Sequence, residues 1–313
     1  ANSVMDTHKI YSIEDLKQWN YSGTALAVIG KPINHSLSPV MHNAALAQLR
    51  VNQAQFEDWA YFRFEIDPSV LAEALELFHS KSFLGLNLTV PHKVIAMDTL
   101  KEVSQTAQSM GAVNTLIWAQ AGYEGSNTDG FGLEMGIREG LDQKLKDNNI
   151  LISGAGGAAR AAIVQCLNQG CRSVGVLNRS SDRLDQMILD LAGIEGHEKI
   201  TAFSSEAALP ELPAEGIYIN ATSLGLKSDD SLPIDLEKIP ASWTLYDMVY
   251  NPLETKLIKT GRSQGRRAVA GLGMLVHQGA KALEKWTGAS VDSGVMNAAA
   301  LAALKNKPSP RTL

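Results

Sequence analysis

Residues Asn149 to Arg183 restrict the possible fold more than any other stretch. The apolar run Ile150 to Ser153 is followed by a helix-favouring segment and then by a second apolar run, Ser173 to Leu177. Between the first run and the helix lies the turn Gly154-Ala155-Gly156-Gly157-Ala158. This order of strand, G-x-G-x-x-A turn, helix and strand is typical of domains that bind a dinucleotide.

The small residues of the turn have separate tasks in this pattern. Gly154 allows the tight turn, Gly156 lets a pyrophosphate approach the backbone, and Ala159 lets the helix pack closely on the strand. The pyrophosphate would then lie on the amides of the helix N-terminus. Glycines also close ordinary turns, but the flanking strand and helix favour the dinucleotide site.

The end of the second apolar run indicates which dinucleotide is bound. An NAD site usually has an acidic residue there, whereas this chain has Asn178, Arg179, Ser180 and Arg183. Guanidinium groups and a hydroxyl suit the 2′-phosphate of NADP. Asp182 leaves open a contact to an NAD ribose, but a local ion pair or a helix cap explains it equally well.

Length and charge narrow the remaining possibilities. A chain of 313 residues favours two domains, and its net charge of −5 gives no reason to expect nucleic acid or an anionic membrane as a partner. Cys166 and Cys171 cannot form a disulfide framework, which fits a reducing cytoplasm. The histidines lack metal-ligand spacing, so no metal is expected, and His35 and His42 are interpreted as surface groups or as supports behind a site.

Before the glycine turn, polar residues follow several predicted strands. The strand Ala25 to Gly30 leads to a loop with Ser36 and Ser38, and Pro39 begins a helix. Ser38 is by itself best explained as the cap of that helix, and carboxylate binding by both hydroxyls is the alternative.

A second polar group follows the strand Phe83 to Val90. Asn87 and Thr89 alternate along it, and Lys93 comes in the first turn of the next helix, where the helix dipole disfavours a cation. That placement hints at function, although a solvated surface lysine is the common case. Asn114 begins another strand, and Asp129 is either a helix cap or a functional acid.

Beyond the glycine turn, further residues fall at predicted strand ends, where open α/β sheets bind their ligands. They are Thr222, Ser223, Met248 and Tyr250. The segment Gly271 to Gln278 then leads into a helix, and the last helix is predicted over Ser293 to Lys305.

Taken together, the motifs resemble the shikimate dehydrogenase family from about Ala25 to Ala303. The matching elements are the paired serines of the loop, Asn87 to Lys93, Gly111 to Thr115, Asn127 to Gly130, the glycine turn, Asn178-Arg179-Ser180 with Arg183, Asn220 to Ser223, Asp247 to Tyr250, and Gly271 to Gln278. His92 departs from the pattern, since an apolar or aromatic residue is expected there, and Ala270 stands where a polar residue is common.

The resemblance implies reversible NADPH-dependent reduction of 3-dehydroshikimate to shikimate, a step of aromatic amino acid biosynthesis. It assigns catalysis to Lys93, held by Asp129, and carboxylate binding to Ser36, Ser38 and Tyr250. Asn114, Asp129 and Gln278 would bind ring hydroxyls, with Asn87 and Thr89 also supplying polar contacts. NADP would contact the glycine turn, the Asn178 to Arg183 segment, Thr222, Ser223, Met248, Gly271 and Met274.

The resulting fold class is α/β. An N-terminal α/β substrate domain (1–128 and 271–313) accompanies a Rossmann NADP-binding domain (129–270), with the active site in the cleft between them. The expected partner is the small-molecule substrate, and the chain is expected to act as a monomer or homodimer.

Three alternatives stay open at this point. The chain could be a broader quinate/shikimate dehydrogenase, although the serine pair favours shikimate and the arginines disfavour NAD. A non-catalytic regulatory module should have lost Lys93 or Asp129, and both are present. The chain could also be one half of a bifunctional protein.

Overall fold

The computed structural model describes residues 5–306, which form two compact units. One contains residues 5–128 and 279–306, and the other contains residues 129–278. The second boundary between the units, at residues 278 and 279, lies inside the helix Leu272–Thr287. The sequence placed this boundary just before that helix, between residues 270 and 271, and the predicted domain bounds stay a prediction. Residues 1–4 and 307–313, which were assigned to the substrate domain, lie outside the described residues.

The first unit is built on a mixed seven-stranded sheet. Its strands are β1 (Ile10–Tyr11), β2 (Ala25–Gly30), β3 (Ala60–Glu65), β4 (Gly85–Leu88), β5 (Glu102–Val103), β6 (Thr115–Ile117) and β7 (Glu124–Ser126). They lie in the order β1-β3-β2-β4-β6-β7-β5. The helices before residue 128 are α1 (Ile13–Lys17), α2 (Ser38–Asn52), α3 (Leu71–Ser80), α4 (His92–Ile95) and α5 (Gln105–Met110).

The pairing of β4 places the polar residues of this unit. Strand β4 runs parallel to β2 and antiparallel to β6, so the end of β4 meets the start of β6. Apolar side chains from β1, β2, β3, β4 and β6 are buried in one core with Trp19, Phe78 and Phe83. The parallel pairing of β2 with β4 sets the carboxyl ends of these two strands side by side.

The second unit carries a six-stranded parallel sheet. Its elements are α6 (Asp129–Leu141), β8 (Asn149–Ser153), α7 (Gly157–Asn168), β9 (Ser173–Leu177), α8 (Ser181–Leu191), β10 (Ile200–Phe203), β11 (Ile217–Asn220), β12 (Thr244–Asp247), α9 (Lys256–Ser263) and β13 (Ala268–Ala270). The strand order β10-β9-β8-β11-β12-β13 is the doubly wound order of dinucleotide-binding folds. The prediction of a Rossmann-type sheet is confirmed.

Two long helices end the described chain. Helix α10 (Leu272–Thr287) contains the second boundary between the units, and α11 (Ser293–Lys305) packs on α2 within the first unit. Short 3-10 turns lie at Ala54–Phe56, Pro68–Val70, Ala96–Thr99, His197–Lys199, Glu206–Ala208 and Leu236–Lys238.

Residues 5–306 contain neither a candidate membrane span nor a candidate metal cluster. Every helix in that range is too short or too polar to span a bilayer. No three His, Cys, Asp or Glu side chains in it converge on a point that could hold a metal ion.

Candidate functional site

Polar residues of the first unit meet where β4 ends and β6 begins. Thr89 follows β4 and donates its N–H to the carbonyl of Ile29 at 3.0 Å, beside the end of β2. The N–H of Leu88 donates to the carbonyl of Asn114 at 2.9 Å, across from the start of β6. A Cβ on Gly30 would collide with the methyl group of Thr89, so glycine permits this close approach.

The two serines lie where the loop after β2 enters α2. Helix α2 begins at Ser38 itself, with Leu37 at the cap position and no side-chain capping bond. The interpretation of Ser38 as the cap is therefore wrong. Instead, the hydroxyl of Ser36 accepts the N–H of Ser38 at 3.3 Å, which closes the loop and leaves the hydroxyl proton of Ser36 for another acceptor.

Asn87 and Asn114 belong to one buried hydrogen-bond network. Asn87 donates to the carbonyl of Asn114 at 3.1 Å and to the hydroxyl of Thr115 at 3.3 Å. The side-chain oxygen of Asn114 accepts the hydroxyl of Thr115 at 2.9 Å and the N–H of Thr128 at 2.8 Å. The network thus fixes the backbone of Thr128, directly before Asp129.

Lys93 lies in the short helix α4 and is half-buried. Its carbonyl accepts the N–H of Val113 at 3.0 Å, so the backbone of the lysine is attached to the residue next to Asn114. The first unit therefore brings Thr89, Lys93 and Asn114 to one end of its sheet. A lysine beside polar residues at a strand end is a candidate for general acid–base chemistry.

Three predicted substrate-site residues belong to the second unit. Asp129 is the first residue of α6, and Tyr250 follows β12 in a position where burial raises the pKa of its phenol. Gln278 lies on α10 and donates to the carbonyl of Leu275 at 2.8 Å. Their approach to the residues of the first unit stays a prediction.

The glycine turn has the geometry that the sequence predicted. Gly154 has a φ of +126°, and a Cβ on it would lie 2.9 Å from the carbonyl oxygen of Ala221. A Cβ on Gly156 or Gly157 would meet nothing within 4 Å, so the space above them is open. Helix α7 starts there without a side-chain cap, which leaves its first amides directed at that space. The turn fits a pyrophosphate.

The segment after β9 is exposed, as a 2′-phosphate site requires. Arg179, Ser180 and Arg183 all have exposed side chains. Ser180, not Asp182, caps α8 by accepting the N–H of Arg183 at 3.4 Å. Asn178 donates to the carbonyl of Ser180 at 3.1 Å and so shapes the same turn. These residues fit the phosphate of NADP.

The remaining predicted cofactor residues follow β11, β12 and β13 at the same edge of the sheet. Thr222 and Ser223 come after β11, Met248 after β12, and Gly271 after β13. A Cβ on Gly271 would collide with the backbone of Met248, so these two residues touch. Met274 follows in α10 and donates its N–H to the phenol oxygen of Tyr246 at 3.1 Å.

Sequence reasoning did not single out Asp247, whose carboxylate joins several segments at the carboxyl edge of the second sheet by hydrogen bonds. Asp247 is fully buried, and burial raises the pKa of its carboxyl although three donors face it. It accepts from Thr255 at 2.6 Å, from the amide of Asn220 at 3.0 Å and from the N–H of Val249 at 3.1 Å. Its position at the last residue of a predicted strand, inside the Asp247 to Tyr250 motif, is the sequence signal that could have identified it.

Two histidines of the first unit are buried. Of the two interpretations of His42, that of a surface group is wrong, because its side chain is fully buried against Tyr61, and that of a support behind a site stays a prediction; His35 is exposed. The helical spacing of Ser38, His42 and Leu46 places them on one face and could have indicated this. His92 is also buried, and one ring nitrogen lies 2.7 Å from the carbonyl oxygen of Ile66.

Comparison with known proteins links both units to one family. A model of the shikimate dehydrogenase substrate binding domain matches residues 28–116, and one of the shikimate 5'-dehydrogenase C-terminal domain matches residues 271–301. The NADP(+) shikimate dehydrogenase of Symbiobacterium thermophilum is 39% identical over 290 residues, which cover 91% of this chain and 96% of that protein.

Solved structures show the same likeness. Shikimate 5-dehydrogenase from Thermus thermophilus, in complex with NADP(H) and shikimate, has a TM-score of 0.77 and 33% identity, covering 90% of this chain and 99% of that one. Quinate dehydrogenase from Corynebacterium glutamicum, in complex with NAD, has a TM-score of 0.78 and 27% identity, covering 90% and 99%.

Proposed function

Because this chain belongs to the shikimate dehydrogenase family, we propose that it catalyses the reversible NADPH-dependent reduction of 3-dehydroshikimate to shikimate. The observation that carries the proposal is the extent of the likeness to the relative from Symbiobacterium thermophilum, which spans 91% of this chain and therefore both units. The doubly wound sheet and the open glycine turn support the cofactor half of the proposal.

We propose Lys93 as the residue that handles the proton. Bound NADPH supplies a hydride to the carbonyl carbon of the substrate, and the oxygen of that carbonyl then needs one proton. In the reducing direction the ammonium of Lys93 donates this proton, and in the oxidising direction its neutral amine accepts the proton. Asp129 is proposed to hold the lysine charged and oriented.

Substrate recognition is proposed to divide by chemical group. The hydroxyls of Ser36 and Ser38 with the phenol of Tyr250 bind the carboxylate. Asn114, Asp129 and Gln278 bind ring hydroxyls, and Thr89 adds a hydroxyl at the end of β4. Asn87 already uses both amide hydrogens within the protein, so it can bind a ligand only through its side-chain oxygen.

The cofactor is proposed to lie along the carboxyl edge of the second sheet. The amides after Gly156 bind the pyrophosphate, and Arg179, Ser180 and Arg183 bind the 2′-phosphate. The same proposal has four further parts. They are an active-site cleft between the units, a cytoplasmic location, a monomeric or homodimeric state, and the lack of nucleic-acid binding. The two free, buried cysteines support a reducing compartment.

A spectrophotometric assay of reduced nicotinamide tests the proposal directly. Shikimate and quinate are each offered with NADP and with NAD, at matched concentrations. We expect shikimate with NADP to give the highest kcat/KM of the four pairs. A protein that binds shikimate but turns over none of the pairs would contradict the proposal.

Broader quinate/shikimate dehydrogenase activity is the second candidate function. The specific observation that favours it is the likeness to the quinate dehydrogenase from Corynebacterium glutamicum, whose structure was solved with NAD. Quinate turnover comparable to shikimate turnover, or NAD use comparable to NADP use, would select this candidate.

A further inference from the structure

Tyr61 is a buried phenol that the proposed mechanism does not use. It lies in β3, its side chain is inaccessible to solvent, and its hydroxyl donates to the side-chain oxygen of Asn87 at 2.7 Å. Its interactions link α2, which begins at Ser38, to β4, which carries Asn87. The two elements supply different parts of the proposed substrate site.

The direction of the hydrogen bond between Tyr61 and Asn87 follows from the partners of the amide. The NH2 group of Asn87 faces the carbonyl of Asn114, which can only accept, at 3.1 Å. The opposite end of the amide must therefore be the oxygen, and it faces Tyr61. Tyr61 consequently donates, and its oxygen is left as an acceptor for the hydroxyl of Ser38. Burial raises the pKa of the phenol well above its ordinary value, and the bond from Ser38 offsets only part of that rise.

Helix α2 holds Tyr61 from two sides. The side chain of Asn43 accepts the N–H of Tyr61 at 2.9 Å and donates to its carbonyl, also at 2.9 Å. The ring of His42 stacks on the phenol with centroids 4.2 Å apart and planes inclined by 3°. Burial lowers the pKa of His42 to about 3, so the stacked ring is neutral. Neither the backbone nor the ring of Tyr61 can shift without disturbing α2.

We propose that Tyr61 is a positioning residue for substrate binding, which sets the amide of Asn87 and keeps it in register with the serines at the start of α2. The amide of Asn87 in turn supports Thr115 and the carbonyl of Asn114, so the effect reaches the residue proposed to bind ring hydroxyls. This role rests on the proposed function. It predicts an effect on shikimate that is not shared by the cofactor.

The first test is Tyr61→Phe, which keeps the ring but removes both the donor to Asn87 and the acceptor of the Ser38 hydroxyl. A lost hydrogen bond to a buried amide is expected to raise the KM for shikimate about 5- to 20-fold. The KM for NADP should change by less than about twofold, because the cofactor contacts are proposed to lie in the second unit. A rise of both KM values by the same factor would overturn the proposal.

Tyr123→Phe is the matched control. Tyr123 is buried in the core of the same unit, and its hydroxyl donates to the carbonyl of Phe83 at 2.6 Å. Tyr123→Phe therefore removes buried hydrogen bonding of a phenol, as Tyr61→Phe does, but outside the hydrogen-bond network of Asn87 and Asn114. We expect a similar fall in thermal stability for both variants but an unchanged shikimate KM for Tyr123→Phe; equal KM values in the two variants would overturn the positioning role.

A double variant tests whether Tyr61 acts through Asn87. Adding Tyr61→Phe to Asn87→Ala should raise the shikimate KM by a smaller factor than Tyr61→Phe does alone, because the acceptor on Asn87 is already gone and only the bond from Ser38 is lost. Multiplicative effects of the two substitutions would overturn the proposal.

A second variant keeps the proposal testable if Tyr61→Phe does not fold. Thr115→Val removes an acceptor from the same amide of Asn87, and it should raise the shikimate KM about two- to tenfold without changing that for NADP. An unchanged shikimate KM in Thr115→Val would then overturn the proposal. Wild-type protein that does not oxidise shikimate would instead overturn the proposed function, and the positioning role with it.

Discussion

At the scale of single residues, Lys93 has the most exacting proposed task. Its carbonyl accepts the N–H of Val113, so the backbone of the lysine is attached to the segment that leads into β6. Helix α4 has only four residues, so Lys93 lies in its first and in its last turn, and the expected conflict of its charge with a helix dipole does not arise. The proposed role of Lys93 therefore rests on its neighbours at the end of the sheet and on the family likeness.

Replacement of Lys93 by alanine is expected to lower kcat by a factor of about 10² to 10⁴, because one proton-transfer group is lost. The KM for shikimate should change much less. Steady-state assays of Lys93→Ala beside Lys101→Ala, an exposed lysine of the same unit, measure this. A variant with normal kcat and a raised KM would reduce Lys93 to a binding residue.

His42 shows how burial changes the effect of pH on stability. Its pKa falls from 6.5 to about 3 because the folded protein cannot hydrate the charged ring. Within residues 5–306, neither ring nitrogen has a hydrogen-bond partner. Between about pH 3 and pH 6.5, His42 is therefore protonated in the unfolded chain and neutral in the folded chain.

The sign of the effect follows from this difference. The stability contributed by neutral His42 is present above pH 6.5 and is lost as the pH falls toward 3, at about 1.4 kcal/mol of unfolding free energy per pH unit. Urea unfolding of His42→Phe between these pH values should show a shallower loss than the wild type. His197→Gln, at an exposed histidine, should keep the wild-type slope; a wild-type slope in His42→Phe would refute the prediction.

At the scale of elements, the glycine turn was predictable because its requirement is local. A φ of +126° is open to glycine and costly for other residues, and the short distance to Ala221 adds a steric reason. The start of α2 was not predictable in the same way. Ser followed by Pro is a common capping pair, but the loop is closed by the hydroxyl of Ser36, which only the folded loop brings to the N–H of Ser38.

Gly154→Ala is expected to lower the free energy of unfolding by at least about 2 kcal/mol and to weaken NADP binding, because a Cβ is strained at this φ and meets a backbone oxygen. Urea unfolding and a fluorescence titration with NADP measure the two effects. Gly193→Ala is the control, since a Cβ there meets nothing within 4 Å. Wild-type stability and affinity in Gly154→Ala would show that the turn tolerates a side chain.

At the scale of the whole molecule, cofactor binding should appear as stability. A ligand that binds only the folded state adds about 2.7 kcal/mol to the free energy of unfolding when its concentration is about 100 times its Kd. We expect NADP to raise the midpoint of thermal unfolding more than NAD at the same concentration, because NAD lacks the phosphate that Arg179 and Arg183 would bind.

The double variant Arg179→Ala/Arg183→Ala should lose most of that difference, and Arg172→Ala, an exposed arginine of the same unit, should keep it. Circular dichroism melts of the three proteins with each nucleotide provide the comparison. Equal stabilisation of the wild type by NAD and NADP would contradict the assignment of the arginine pair.

By itself, the sequence determined the α/β class, the doubly wound second sheet and the glycine turn. Each depends on patterns within about thirty residues of chain, such as apolar runs, glycine positions and the residues at strand ends. Family resemblance added the proposed site residues. The structure places the first-unit members of that set at one end of a sheet.

Only the tertiary structure decided which buried groups support those residues. Tyr61 meets Asn87 across 26 positions of chain, and Asp247 meets Asn220 across 27, through sheet pairing that no local pattern specifies. Likewise His42 is buried because β3 lies against α2, not because its own segment is apolar. Hydrogen bonds between distant strands depend on register and packing, and these exist only once the chain has folded.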